Sequence, residues 1–245
     1  MQITKNDPKM TSIFDYPSPA IAVDLAILCV HDGALRCVIM RREDGGVMGG
    51  DWALPGGFVH RDGSLEETVT RVLRDKTSLR DVHFEQLATY GTPGRDPRGH
   101  VISVVYLAIL PAEMLIKGVE ANSGLRLVRV LVDWPGETGG TAHVSDDTGA
   151  PMHMAFDHAD ILGDMVKRLR GKLDYTPIGF EFLPSRFTLR DVQAVHEAIL
   201  DQSLTKPAFR RKLLDRHTLR ATGVRESGGA YRPAELYELS QDQEE

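Results

Sequence analysis

"GGFVHRDGSLEETVTRVLRDKTSL", residues 56–79, joins a glycine-rich approach to a helix whose start is written into the sequence. Leu65, Val69, Val72 and Leu73 recur at helical spacing. Immediately before them, Ser64 can accept a hydrogen bond from the backbone N–H three residues on, while Glu67 reaches back to the serine's own N–H. This capping box fixes the first turn. Upstream, "GGVMGGDWALPGGF" reads as a Gly-rich loop, and before it "AIAVDLAILCVHDGALRCVIMRRED", residues 20–44, reads as two β runs around the turn His31-Asp32-Gly33. Downstream, "HVISVVYLAIL" (100–110) and "LRLVRVLVDW" (125–134) are further strands, followed by a loop of small and polar residues over 135–150. "MAFDHADILGDMVKRLRGKL" (154–173) is an amphipathic helix with Ile161, Leu162, Met165, Val166 and Leu169 facing inward. These elements predict an α/β domain over residues 1–173.

"DYTPIGFEFLPSRF" carries prolines and aromatics without periodicity, and residues 174–185 are read as a linker. Residues 186–245 then form a second, smaller domain. Thr188 caps a helix running to about Asp201, with Leu189, Val192, Val195 and Ile199 on its buried face. Gln202 to Thr205 break the chain, Thr205 caps the next helix, and "KPAFRRKLLDR" places Pro207 in a first turn, where its missing N–H costs nothing. Two helices with so short a break predict a helix-turn-helix. "TLRATGVRESGGAYRPAELYEL" adds strand, Gly-Gly tip and strand, a β-hairpin wing.

Charge divides along the same boundary. The chain has 245 residues and a net charge of −6, yet residues 186–232 hold ten Lys/Arg against five Asp/Glu. A basic module joined to an acidic one is the asymmetry expected when one part meets phosphate backbones. Lys206, Arg210, Arg211 and Lys212 lie on the second helix, whose N-terminal half enters the major groove in this motif, and Arg225 and Arg232 bracket the wing tip. A solvated basic face, or a surface for an acidic protein, is the competing reading. The two cysteines, Cys29 and Cys37, lie in strand-like apolar sequence and are read as buried thiols, since no further thiol completes a zinc set. Neither a signal peptide nor an apolar run near the ~18 residues of a membrane span is visible, so a cytoplasmic protein with no membrane partner is expected.

The stretch 56–79 resembles the Nudix box: Gly, five residues, Glu, seven residues, then Arg-Glu-aliphatic-any-Glu-Glu-any-Gly-aliphatic. Aligned on Gly57, the box arginine is Arg71, the carboxylates fall on Gly63, Val72, Asp75 and Lys76, Ser78 takes the place of the late glycine, and Leu79 keeps the aliphatic position. Nudix hydrolases use helix glutamates to hold divalent metals that activate water. Of the three helix carboxylates of the box only Asp75 remains here, one methylene shorter, and Lys76 places an ammonium in or beside the metal position. "GTPGRDPRGHVISVVYLAIL", residues 91–110, is similar to the stretch after the box in Nudix proteins of the ADP-ribose-recognising type.

With "FTLRDVQAVHEAILDQSLTKPAFRRKLLDRHTLRATG" added, nearly the whole chain resembles the Nudix-related transcriptional regulators of bacterial NAD metabolism. The resemblance implies a Nudix α/β/α sandwich with a mixed sheet, followed by a C-terminal winged helix-turn-helix. It further implies a homodimer, double-stranded operator DNA near NAD synthesis or salvage genes, and ADP-ribose or a related nucleotide as effector, with no required cofactor. Repression, released by the effector, is the expected action, without efficient hydrolysis. Arg41, Arg42, Arg95, Arg98, Arg71 and Lys76 are candidates for phosphate or ribose oxygens, and Trp52 and Phe58 for the adenine face. The alternatives are solvated arginines and core aromatics. Asp157 and His158 open the last helix of this domain, His158 as a cap or structural hydrogen-bond partner. The rival function is an ADP-ribose pyrophosphatase whose metal is held by Asp75 with Glu66 or Glu67.

Overall fold

The computed structural model describes residues 18–216, 218–226 and 233–240. Strand β1 (Ala20–His31) and β2 (Ala34–Arg41) form the expected hairpin, with Asp32 and Gly33 at φ 49° and 68° in its turn. Such a turn follows the right-handed twist of the strands it joins. β1 also pairs in parallel with β6 (Val101–Ile109), so one strand is central to a mixed sheet. The main order is β5-β6-β1-β2-β7-β8-β9, with β5 Glu85–Tyr90, β7 Leu125–Leu131, β8 His143–Ser145 and β9 Pro151–Met152. Two short strands, β3 (Trp52–Ala53) and β4 (Gly56–Phe58), pair with β2 and β1.

The sheet is covered on both faces, which explains why β1 reads as a near-continuous apolar run. Val23, Leu25, Ile27 and Cys29 pack on α1 (Leu65–Thr77) and α2 (Ala112–Glu120). Ala26 and Leu28 pack on α3 (His158–Lys172). Both cysteines are buried and outside any disulfide, and burial pushes the Cys29 thiol up to about 12. At the start of α1, both hydrogen bonds of the Ser64–Glu67 capping box form. At its end Ser78 is left-handed, φ 60°, with its N–H donating to Arg74 O and Leu79 N–H to Leu73 O. That is the conformation for which glycine is the least strained residue.

Several elements escape the sequence reading. β3, β4, β8 and β9 are two or three residues long, too short to carry an alternation. β5 is mostly polar at an edge, and α2 follows Pro111 with no side-chain cap and contains Gly118. The helix expected from 154 begins at His158, because Ala155 N–H is already bonded to Trp52 O and Phe156 adopts φ 57°.

The segment read as a linker is folded and packed. Pro177–Phe182 form a 3-10 helix whose Ile178 and Phe182 join the core under α3. Phe180 instead joins the small core beneath the basic helix, its ring 5.2 Å from Phe187. Aromatic residues here serve burial in two directions, so no single periodicity appears.

Thr188 caps α4 (Leu189–Leu200) with Asp191 completing a second capping box. Val192 of α4 packs in the small core, whereas Val195 and Ile199 pack against the large sheet's core. Fully burying each such side chain contributes about 1.5–3 kcal/mol, so α4 belongs energetically to both parts. Arg170 of α3 adds a buried link: its Nε donates to Ile199 O at 2.9 Å and its Nη1 to Trp134 O and Gly136 O. α5 (Lys206–Arg216) follows, with Phe209 and Leu213 inward. The wing pairs β10 (Leu219–Arg225) with β11 (Glu235–Leu239), and Phe187 exchanges both backbone hydrogen bonds with Tyr237. Its Gly-Gly tip and Arg232 lie outside the described residues.

Candidate functional site

A cleft of about 350 Å³ opens beside β1, β4 and the end of β2. Arg41, Arg42, Phe58, Lys76, Arg95 and Arg98, six of the candidates from the sequence, line it. Trp52 and Arg71 do not. The Trp52 ring packs on the core with the Arg126 guanidinium 5.7 Å from its centroid. Arg71 Nη2 donates to Phe58 O at 2.8 Å and braces β4.

Each cation in the cleft is held by a neighbour. Arg95 makes a two-pronged pair with Asp157, Nε to Oδ2 at 2.7 Å and Nη2 to Oδ1 at 2.6 Å, and its side chain is only 6% exposed. Arg98 forks onto Asp96, whose Oδ1 also accepts the Arg98 backbone N–H and so folds the loop. This guanidinium holds the Asp96 carboxyl below the usual range. Arg42 donates through Nε and Nη2 to Val47 O. Arg41 is looser, exposed and 3.7 Å from Asp44.

Two aromatic rings frame these cations. The Arg98 guanidinium lies 5.0 Å from the Phe58 centroid and 5.5 Å from that of Phe156, while Arg42 lies 4.6 Å from Phe156 on its own account. Phe156 stands out because a phenylalanine at φ 57° costs free energy, of order 1–3 kcal/mol. The 153–157 segment holds it there: Trp52 N–H donates to His153 O, Ala155 N–H to Trp52 O, and Asp157 is pinned by Arg95.

Asp24 is, with Asp96, a buried acid of the site. It accepts from Ser103 Oγ, and a Cβ on Gly56 would lie 2.1 Å from its Oδ1, so glycine is required there for the strands to close. His158 Nε2 is 3.7 Å from Asp24 Oδ2, beyond hydrogen-bond length. Its Nδ1 accepts from Leu54 N–H at 2.9 Å, the structural role expected from sequence. Burial holds this imidazole below its ordinary pKa, so it is neutral, and the contact with Asp24 is not an ion pair.

The box positions can be tested against a divalent metal. Val72 is 1% exposed and belongs to the core. Asp75 is paired with Arg74 at 2.7 Å, which holds its carboxyl below the usual range. Glu67 is engaged in the capping box. Lys76 enters the cleft and donates to Gly56 O, with burial lowering its pKa and Asp24 opposing that shift. Among the described residues, no three His, Cys, Asp or Glu side chains gather closely enough to hold a metal ion. At the box positions on this helix that leaves one carboxylate, Asp75, already engaged by Arg74.

The second candidate surface is α5. Lys206 and Arg211 are exposed, and their side chains make no hydrogen bond or ion pair among the described residues. Arg210 is half-buried, its Nε without a partner among those residues and its charge felt by Tyr237 on the wing. Lys212 turns away to Asp174, 2.6 Å distant. Thr205 is exposed and its carbonyl accepts from Phe209 N–H; Arg225 donates to Pro233 O on the wing.

Family models match both halves: a NUDIX domain over residues 20–130 and an NrtR DNA-binding winged helix domain over 179–239. The chain is 32% identical over 228 residues to an ADPR responsive transcriptional repressor NtrR of Acinetobacter baylyi, covering 92% of this chain and 84% of that protein. It belongs to the NrtR family. The crystal structure of Shewanella oneidensis NrtR complexed with a 27mer DNA superposes with a TM-score of 0.72 at 30% identity, covering 90% of this chain and 93% of that one. An ADP-ribose pyrophosphatase of Methanocaldococcus jannaschii is 31% identical over 169 residues, 69% of this chain and 85% of that protein. NrtR membership thus accounts for the Nudix sheet and the winged helix together, whereas the match to the pyrophosphatase stops short of the full chain.

Sequence reasoning passed over Asp24, Asp96 and Phe156 in this NrtR chain. Asp24 left a signal, a lone carboxylate inside the apolar run of β1, which burial tolerates only with partners. Phe156 left none, since only the fold brings it opposite Phe58. Among the described residues, no helix is long and apolar enough to cross a membrane.

Proposed function

We propose that this chain is an ADP-ribose-responsive transcriptional repressor. In this reading a homodimer in the cytoplasm binds a two-fold operator near NAD synthesis or salvage genes through α5 and the wing, and occupancy of the cleft by ADP-ribose or a related nucleotide releases it. The observation that carries the reading is the placement of Lys76. An ammonium stands in a cleft lined by five cations and three acids, at a position where a hydrolase would carry a metal-binding carboxylate. A fixed cation there attracts a diphosphate and repels Mg²⁺. Arg42, Arg95 and Arg98 supply forks for phosphate or ribose oxygens, Phe58 an aromatic face, and Arg41 a peripheral charge. Arg71 contributes by bracing β4. On the DNA side, Lys206, Arg211, Arg210, Lys212 and Thr205 meet backbone or base edges, with Arg225 and Arg232 following from the wing.

Binding without turnover suits a sensor, because hydrolysis would shorten its signal. A ligand that favours the DNA-incompetent arrangement by ~1.4 kcal/mol changes occupancy tenfold. The test is a mobility-shift titration on a duplex selected by the protein from a randomised library, with ADP-ribose added. Release at saturating ligand is expected; unchanged bound fractions overturn the effector assignment. The pyrophosphatase relative favours one rival, hydrolysis of ADP-ribose with Mg²⁺ or Mn²⁺, and a product assay on the same protein decides it. Turnover of about 1 s⁻¹ or faster would establish a working enzyme.

A further inference from the structure

α3 carries an acid–cation pair at each end. At its start Asp157 holds Arg95 of the cleft. Just past its end, Asp174 Oδ1 lies 2.6 Å from Lys212 Nζ and 3.5 Å from Arg216 Nη1, and Arg216 also donates to the Asp174 carbonyl. Both cations belong to α5, spaced by one helical turn on a flank of the basic helix, whereas Asp174 belongs to the effector half. The two cations hold the Asp174 carboxyl below the usual range, Lys212 through the larger effect.

The packing around this contact is uneven. α5 buries Phe209 and Leu213 in the small core, but its Lys212 flank borders a cavity of about 340 Å³ lined by Leu173, Asp174, His196 and Arg216 among others. Phe209 and Leu213 line the same cavity, and among the described residues the ion pairs that join α5 to the effector half are those of Lys212 and Arg216 with Asp174. The Lys212 and Arg216 side chains are half-exposed, so releasing them requires little repacking.

We propose that Asp174 is a positioning residue that occupies, on α5, the place of DNA phosphate. Resting on the repressor reading above, this contact withholds two cations from the operator, one of them Arg216, which the sequence reading counted in the basic segment but not among the DNA contacts. Carboxylate and phosphate compete for the same two cations, so anything that strengthens the Asp174 contact opposes DNA binding. Helix α3 gives the cleft a direct mechanical route to this competition: an anionic ligand competes with Asp157 for Arg95 at one end, and the carboxylate that competes with DNA stands at the other.

The experiment is Asp174→Asn in the full-length chain, titrated on the library-selected duplex across a range of salt. Two exposed pairs correspond to a gain of about two- to thirtyfold in affinity. Two added phosphate contacts steepen the log–log salt dependence by about one to two units. Adding Arg216→Gln to Asp174→Asn is expected to return part of both gains, and the thermal midpoint of each variant reports whether the fold is intact. Unchanged or weaker DNA binding with an unchanged salt slope, in a folded Asp174→Asn protein, overturns the inference while the repressor reading stands. Failure of the unaltered chain to bind any selected duplex overturns both.

Discussion

The cations of the cleft and those of α5 are the same residue types used in opposite ways. In the cleft, Arg95, Arg98 and Arg42 are fixed by Asp157, Asp96 and the Val47 carbonyl, and Lys76 is tied to the Gly56 carbonyl. On α5, Lys206 and Arg211 extend into solvent. A small nucleotide offers a few oxygens in fixed positions, and preorganised forks avoid the entropy of ordering long side chains when it binds. A duplex offers a continuous row of phosphates, where mobile cations find partners at many registers and counterion release supplies the affinity. Lys212 sits between the two habits, tied to Asp174 yet half-exposed.

The largest effect separating the regions should appear in stability. Asp157→Ala leaves the Arg95 guanidinium buried beside a lost partner, which is expected to cost about 2–4 kcal/mol, since breaking a buried pair strands a charge. For a chain of this size that lowers the thermal midpoint by roughly 4–16 °C. A midpoint unchanged within a degree would mean that the cleft is as loosely held as α5.

A smaller effect follows from His158, held below its ordinary pKa by burial and hence more weakly protonated in the folded chain than in the unfolded one. Its contribution to stability is complete above the unfolded histidine pKa of about 6.5 and declines as pH falls below it, by up to about 1.4 kcal/mol per unit. His158→Gln keeps an acceptor for Leu54 N–H and is expected to flatten that acid limb in denaturation curves recorded from neutral to mildly acid pH. An identical slope in the variant would assign the limb to another group.

The smallest stability effect belongs to α5. Arg211→Ala is expected to change unfolding free energy by no more than about 0.5 kcal/mol, while reducing the salt dependence of duplex binding by about one unit. ADP-ribose affinity should be unaffected. A coupled loss of nucleotide and DNA binding would erase the distinction between braced and free cations.

Much of the architecture was legible because it rests on local rules. The Asp32-Gly33 turn, the Ser64 and Thr188 caps, the inward stripe of α3 and the short break before α5 are each encoded within a few residues. The elements that were missed depend on distant partners. β3 and β4 exist because β2, β1 and the 153–155 segment offer them backbone groups, and residues 177–182 fold because two cores share their aromatics.

Residue order alone was enough for two modules, a valine and a lysine at positions 72 and 76 of the first helix, and the concentration of positive charge near α5. Residue type and short-range spacing suffice for those. Only the tertiary structure decided which charges are available. It joined Arg95 to Asp157 across the domain and brought Phe156 opposite Phe58. It also seated α4 on both cores and placed Asp174 against Lys212 and Arg216. Ion pairing and burial depend on distance in space, and residues so far apart along the chain acquire that distance only when the sheet and its helices close around them.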